Sequence, residues 1–269
     1  AFDLFLKENN LSEAIANELN KVDENDPASI DGVSKTIRAL IAGGEISSDV
    51  EEKILSSFDV LGAEFVAVRS SATAEDASNA SWAGELETYL NIRREGVVSA
   101  VKKCWSSLFT PRAIFYRIEK KLSESSVSVA VVVQKMVQSE VSGVAFTVHP
   151  VTKDYNQLVI EAGFGLGEAI VSGSITPDNY VIDKQEDLIL DVTVSRQEKK
   201  IVKLPSGETH WTSVHENDAE RQKLEGKSIM DLAALCKRIE LHYGKPQDIE
   251  WAFEGGKIFV TQSRPITTL

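Results

Sequence analysis

The chain has 269 residues, 42% of them hydrophobic and 26% charged, an ordinary globular composition that excludes wholesale disorder, a collagen-like repeat and a coiled-coil rod. Its 29 lysines and arginines stand against 41 aspartates and glutamates, a net charge of −12, so the bulk surface repels nucleic acid and anionic lipid while a local basic pocket for a small anion stays open. The length suits one large domain or two modest ones.

The two cysteines, Cys104 and Cys236, have no ligand-like spacing and read as reduced core thiols of a cytoplasmic protein. The longest apolar stretch, residues 127–133, is far too short to span a bilayer, and the opening AFDLFLKENN lacks the basic flank and cleavage site of a signal peptide.

In chain order, residues 1–62 read as helices. Ile30, Val33, Ile37, Leu40 and Ile41 keep helical spacing, started at Asp26-Pro27 and stopped at Gly43-Gly44. Ser48 with Glu51 forms a capping box for the next helix. Phe65-Val66-Ala67-Val68 reads as a strand with Arg69 at its end, and residues 86–92 as a second strand. Residues 96–109 form an amphipathic helix, and Pro111 restarts another to about residue 120. Residues 127–137 are the most apolar strand and are expected at the centre of a sheet, with a hinge near 134–138. Strands follow at 143–148, 157–162, 179–183 and 188–195. A helix capped by Ser228 then runs to Tyr243 and Gly244, and strands 248–253 and 257–262 are joined by Glu254-Gly255-Gly256. Helices and strands do not alternate regularly, so the class is α+β rather than doubly wound α/β.

Two segments carry chemistry. In residues 69–84 nearly every side chain is small or hydroxylated, so backbone N–H groups can approach an anion, and Arg69 offers a planar fork suited to phosphate oxygens. The competing reading is a flexible surface loop with a solvated arginine. In the C-terminal hairpin, period-2 alternation puts Asp248 and Glu250 on one face, and Gln262 and Arg264 on one face together with Ile258 and Val260. Carboxylates beside an amide oxygen suit Mg²⁺, which takes one or two carboxylates plus substrate phosphates. The competing reading is a surface hairpin with ordinary ion pairs.

Glu161-Ala-Gly163-Phe-Gly165-Leu-Gly167-Glu168 lacks the third glycine of a dinucleotide loop and reads as a strand–turn–helix. Gln134 leaves the most apolar strand and either lines a pocket or is its first solvated residue. His149, His210, His215 and His242 show no metal-ligand spacing beyond a weak His210/His215 pair in a segment that reads as loop. Starting motifs for serine hydrolase, P-loop or zincin chemistry are absent.

At Val68-Arg-Ser-Ser-Ala-Thr-Ala-Glu-Asp, continued by Ala-Ser-Trp-Ala-Gly-Glu and Glu-Thr-Tyr-Leu-Asn91, the sequence resembles the N-terminal nucleotide-binding domain of the phosphoenolpyruvate synthase and pyruvate phosphate dikinase family, which rifampicin phosphotransferases share. Val133-Gln-Lys-Met-Val137, Ser142-Gly-Val-Ala-Phe-Thr147, Gly165-Leu-Gly-Glu168 with Thr176-Pro-Asp178, and Asp248-Ile-Glu-Trp251 through Gln262-Ser-Arg-Pro265 follow in the same order, so the resemblance covers essentially the whole chain.

The resemblance implies an ATP-grasp fold of two α+β lobes with a nucleotide cleft between them, the first lobe at residues 1–135 with a phosphate loop at 69–88, the second at 136–269 with the hairpin 248–264. It implies ATP and Mg²⁺ as ligands. Arg69, Glu250 and Gln262 are then the catalytic set, and Glu250 and Gln262 the metal ligands. Gly84, Thr88, Gln134, Asp248 and Arg264 complete the nucleotide site, with Gly84 and Thr88 on the phosphate-covering loop and Gln134 at the hinge.

The implied activity is that of a kinase of the pyruvate–water dikinase type. It phosphorylates a histidine on a separate swivelling domain, from which the group passes to pyruvate. The alternatives are the same domain of an antibiotic phosphotransferase and a non-catalytic nucleotide-binding module. The family pattern begins about fifty residues earlier with a phosphate-holding lysine motif and continues into a phosphohistidine segment. Neither motif stands in this sequence, so an N-terminally truncated domain, incomplete alone, is expected.

Overall fold

The computed structural model describes residues 1–23, 26–72, 76–77, 80–81, 86–120 and 128–267. The chain divides into two compact units, Ala1–Met136 and Val137–Leu269.

The first unit runs α1 (Phe2–Glu8), α2 (Leu11–Leu19), α3 (Pro27–Gly43), α4 (Ser48–Leu61), β1 (Val66–Ala72), β2 (Asp76–Ala77), β3 (Ala80–Ser81), β4 (Thr88–Ile92), α5 (Val97–Ser106), α6 (Pro111–Glu119) and β5 (Val129–Lys135). Helix α3 starts where the sequence places it, because Asp26 accepts the Ala28 N–H at 3.0 Å and Pro27 needs no donor. The capping box at Ser48 does not form. Ser47 is the N-cap, and its carbonyl takes the Val50 and Glu51 N–H groups without a side-chain cap.

Ile30, Val33, Ile37 and Ile41 bury one stripe of α3 in the same core as Trp105 of α5, whose indole lies 5.8 and 5.0 Å from the rings of Phe2 and Phe5. Cys104 is unpaired and buried there, its thiol pushed up to about 11, chiefly by burial.

The three-stranded sheet of this unit has the order β4-β1-β5, all antiparallel. This corrects two expectations. The apolar strand β5 lies at the sheet's edge among the described residues, and β1 is central. Only Val129, Val131 and Val133 of β5 join the core, while Val132 points to the other face and is 48% exposed. The apolar run therefore reflects two faces with different surroundings, not burial on both. Arg69 also sits mid-strand rather than at a strand end, because β1 continues to Ala72 against β5.

The second unit holds β6 (Val141–Phe146), β7 (Gln157–Phe164), α7 (Glu168–Val171), β8 (Asp178–Asp183), β9 (Leu188–Thr193), β10 (Lys199–Lys203), β11 (Thr209–Ser213), α8 (Gly226–Tyr243), β12 (Gln247–Glu254) and β13 (Lys257–Pro265). Six strands form an antiparallel sheet in the order β13-β12-β6-β7-β8-β9. Architecture throughout is mixed α+β, as the irregular element order implies.

One face of this sheet presents Ala145, Ile160, Tyr180, Ile249 and Trp251 to Ile229, Leu232, Ala233 and Cys236 of α8. Cys236 is likewise unpaired, and burial pushes its thiol up to about 12. A Cβ on Gly143 would stand 1.8 Å from the Glu161 carbonyl oxygen, so only glycine admits this spacing between β6 and β7.

The glycine-rich segment after β7 is a turn into α7, as read from sequence. Gly165 takes φ +91°, and its Cβ position is 2.4 Å from the Ile201 carbonyl oxygen of β10. Strands β10 and β11 pair in register from Lys199–Ser213 to Lys203–Thr209, so His210 is a strand residue opposite Val202 and not part of a loop.

Helix α8 starts two residues before its expected cap at Ser228, with Glu225 as N-cap. The cause lies just upstream. Lys223 Nζ is 2.8 Å from Asp178 Oδ1, and both side chains are 0% exposed. Asp178 also accepts from the Tyr180 hydroxyl at 2.8 Å, the Ser195 N–H at 2.9 Å and the Lys223 N–H at 2.9 Å, while Leu224 N–H donates to Tyr180 Oη at 3.2 Å. This network fixes residues 223–224 against β8 and dictates where the helix begins. Among the described residues no helix is long and apolar enough to cross a membrane.

Removing one member of a buried pair strands the other charge, so Lys223→Met is expected to cost the second unit about 3–5 kcal/mol. Urea unfolding measures this. The double change Asp178→Asn/Lys223→Met loses less than Lys223→Met, and a single-variant loss below about 1 kcal/mol contradicts the account.

Candidate functional site

In the first unit, β1 aligns three of the predicted residues. Arg69 stands directly opposite Thr88 of β4 and Val132 of β5, and Gln134 stands opposite Ala67. Opposed residues share a face, and Ala67 and Arg69 are two apart, so Arg69, Thr88 and Gln134 all belong to the face turned away from the core. Val66, Val68, Val131 and Val133 occupy the other face. The ladder between β1 and β4 slips by one residue between Val66 and Val68, where Asn91 takes φ +54°. This bulge restores the pairing that brings Thr88 to Arg69. Gly84 lies outside the described residues.

In the second unit, Asp248 pairs with Arg264 and Glu250 with Gln262 across β12 and β13. The four form a two-by-two block on the face opposite Ile249 and Trp251. Arg264 Nε and Nη2 each lie 2.8 Å from Asp248 Oδ2. The expected company of Ile258 and Val260 is overturned. A bulge between Glu250 and Trp251 leaves Thr261 as the extra residue, so Val260 opposes Trp251 and packs with Ile258 against the core. Gln262 and Arg264 then emerge on the other face, beside the acids.

The row extends to a residue that sequence reasoning did not select. Glu250 opposes Val144 of β6, Val144 opposes Glu161 of β7, and Glu161 opposes Asn179 of β8. Glu161 is thus a third carboxylate on the same face. Burial pushes its carboxyl above the ordinary glutamate range, and the charge of Asp248 adds to this. Burial likewise raises Asp248, Arg264 opposes that shift, and Glu250 adds to it. Asp248 Oδ1 is buried without a hydrogen-bond partner among the described residues. Glu161 had a visible signal, an acid alternating with Leu158, Ile160 and Ala162. What sequence lacked was the identity of the neighbouring strands.

Among the described residues no group of three His, Cys, Asp or Glu side chains is gathered as a metal cage. The arrangement of Glu250 beside Gln262 instead offers one carboxylate and one amide oxygen. That donor set suits a hard cation completed by water and by oxygens of an anionic ligand. Arg264 supplies adjacent positive charge, and Arg69 does so in the first unit.

Residues 1–269 match the family described as pyruvate phosphate dikinase, AMP/ATP-binding domain. A probable phosphoenolpyruvate synthase of Methanocaldococcus jannaschii is 46% identical over 276 residues, covering 100% of this chain and 23% of that protein. A probable phosphoenolpyruvate synthase of Archaeoglobus fulgidus is 48% identical over 274 residues, covering 100% of this chain and 36% of that protein. A rifampicin phosphotransferase of Bacillus cereus is 43% identical over 251 residues, covering 93% of this chain and 28% of that protein. The chain therefore spans a minor part of the length of these relatives. With a family match along its whole length, the chain belongs to the pyruvate phosphate dikinase AMP/ATP-binding domain family.

Proposed function

We propose that this chain is the ATP·Mg²⁺-binding domain, of ATP-grasp type, of a phosphoenolpyruvate synthase-like phosphotransferase that works in the cytoplasm. The observation that carries the reading is the block of Asp248, Glu250, Gln262 and Arg264, which puts two carboxylates, an amide and a guanidinium on one sheet face. In the parent reaction ATP phosphorylates a histidine on a separate swivelling domain, and the group passes on to pyruvate.

Glu250 and Gln262 are the residues that would hold Mg²⁺, with Asp248 fixing the orientation of Arg264 through its ion pair. When bound, the ion would neutralise charge on the transferred phosphoryl oxygens. Arg69 would meet phosphate oxygens with its planar fork, Thr88 would add a hydroxyl donor, and Gln134 would offer amide hydrogen bonds to the nucleotide. These groups act by positioning and by charge. A second reading, the ATP-binding domain of a rifampicin phosphotransferase, draws support from the 43% identity to the Bacillus cereus protein. The residues above bind ATP in either case, so the parent protein's acceptor domain separates the two.

ATP·Mg²⁺ at about 100 times its Kd adds about 2.7 kcal/mol of stability, which thermal unfolding registers as a rise of several degrees. The double variant Arg69→Ala/Glu250→Ala is expected to abolish that rise. An undiminished rise in the variant removes these residues from the site.

Glu161 provides a pH test. Its carboxyl is held above the unfolded value near 4.5, so the folded state binds more protons and stability falls as pH rises from there through the folded value. Glu161→Gln is therefore expected to unfold at a higher temperature than wild type at about pH 7, with the gain vanishing below about pH 4. An equal difference at both pH values contradicts the assignment.

A further inference from the structure

We propose that Glu87 is a positioning residue. Clamped by Arg38 and Tyr89, it fixes the Arg69–Thr88 pair for phosphate contact, an inference that rests on the nucleotide reading above.

Glu87 immediately precedes β4 and is held at both its carboxylate and its backbone carbonyl. Its two carboxylate oxygens lie 3.1 and 3.0 Å from Arg38 Nη2, on helix α3. The Tyr89 hydroxyl donates to Oε2. Its backbone carbonyl accepts the Ser70 N–H at 3.3 Å and the Ser70 hydroxyl at 2.8 Å. Ser70 Oγ is in turn 3.0 Å from Ser107 Oγ, in the turn that follows α5. Helix α3, strand β1, strand β4 and the turn after α5 therefore converge on one residue.

The placement of this clamp is what points to a role. Ser70 follows Arg69 and Tyr89 follows Thr88, so both lie on the face opposite the Arg69–Thr88 pair. The two strands are gripped on the face opposite the arginine and the threonine. Burial and the Glu87 carboxylate push the Tyr89 hydroxyl well above its ordinary range, so it stays protonated as a donor.

Stability alone is a poor reason for the arrangement. Arg38 and Glu87 are each 33% exposed, and ion pairs at that exposure contribute little to folding. Position is a better one. A charge-assisted contact to phosphate depends steeply on geometry, and a shift of about 1 Å far from the chemistry can cost as much as about 100-fold. The segment that must be held is the one where the chain joins the sheet beside Arg69.

The test measures ATP and adenosine affinity for wild type, Glu87→Gln, Arg38→Met, Arg69→Ala and the pair Glu87→Gln/Arg69→Ala. Both single clamp variants are expected to raise the ATP dissociation constant about tenfold while moving that of adenosine less than about twofold. On the Arg69→Ala background, Glu87→Gln is expected to add less than about twofold, because the residue it serves is gone. A tenfold loss that persists on that background, an equal loss for adenosine, or no loss at all overturns the proposal.

Hydrogen exchange of the nucleotide-free protein gives a second arm. Residues 86–92 are expected to exchange faster in Glu87→Gln while α8 is unchanged. Unchanged exchange at 86–92 overturns the proposal whether or not ATP binds. Wild type that fails to bind ATP at millimolar concentration overturns the nucleotide reading alone.

Discussion

Strand β12 pairs with β13 on one side and β6 on the other, and its register decides what each of its side chains can do. Ile249, Trp251 and Phe253 go into the core against α8 because a sheet strand must alternate. Asp248 and Glu250 are thereby sent to the opposite face. A slip of one residue in either ladder would bury the two carboxylates and expose the tryptophan. The apolar core of the second unit and the polar array on its other face are therefore one constraint read from two sides. Gly143 enforces it, since the approach of β6 to β7 leaves no room for a Cβ.

Gathering acids on that face works against the fold. Asp248 and Glu161 are both raised by burial and by a neighbouring negative charge, and only Arg264 opposes this at Asp248. Carboxylates perturbed in this way cluster at functional sites. The contrast with Asp178 is instructive. That aspartate is fully buried yet met by a lysine, a tyrosine hydroxyl and two backbone N–H groups, so its polar capacity is consumed internally. One buried carboxylate holds the fold together, whereas Asp248 keeps one buried oxygen, Oδ1, without a hydrogen-bond partner among the described residues.

The first unit solves a related problem with neutral and basic groups. Its central strand carries Arg69 on one face and Val66, Val68 and Ser70 on the other, so packing and chemistry again separate by alternation. The bulge at Asn91 and the one at Thr261 do the same work in different places. Each inserts a residue where strict pairing would turn a polar side chain the wrong way. In both units the polar array depends on an irregularity that a regular strand pattern cannot supply.

Much was legible in the linear chain. Local signals located α3 through Asp26-Pro27, the closing turn through Gly255-Gly256, and the turn into α7 through its glycines, because capping and positive φ depend on residues adjacent in sequence. The α+β class followed from element order, and the family from motifs spread along the whole chain. Long-range facts were not legible. Central rank for β1 rather than β5, the early start of α8 behind the Asp178–Lys223 pair, the opposite facing of Val260 and Gln262, and the presence of Glu161 in the row all depend on which strands become neighbours. Sequence by itself determined which side chains could do chemistry and which local turns would form. Only the tertiary structure decided which of them share a face, since strand pairing joins residues by the geometry of the ladder and not by their distance along the chain.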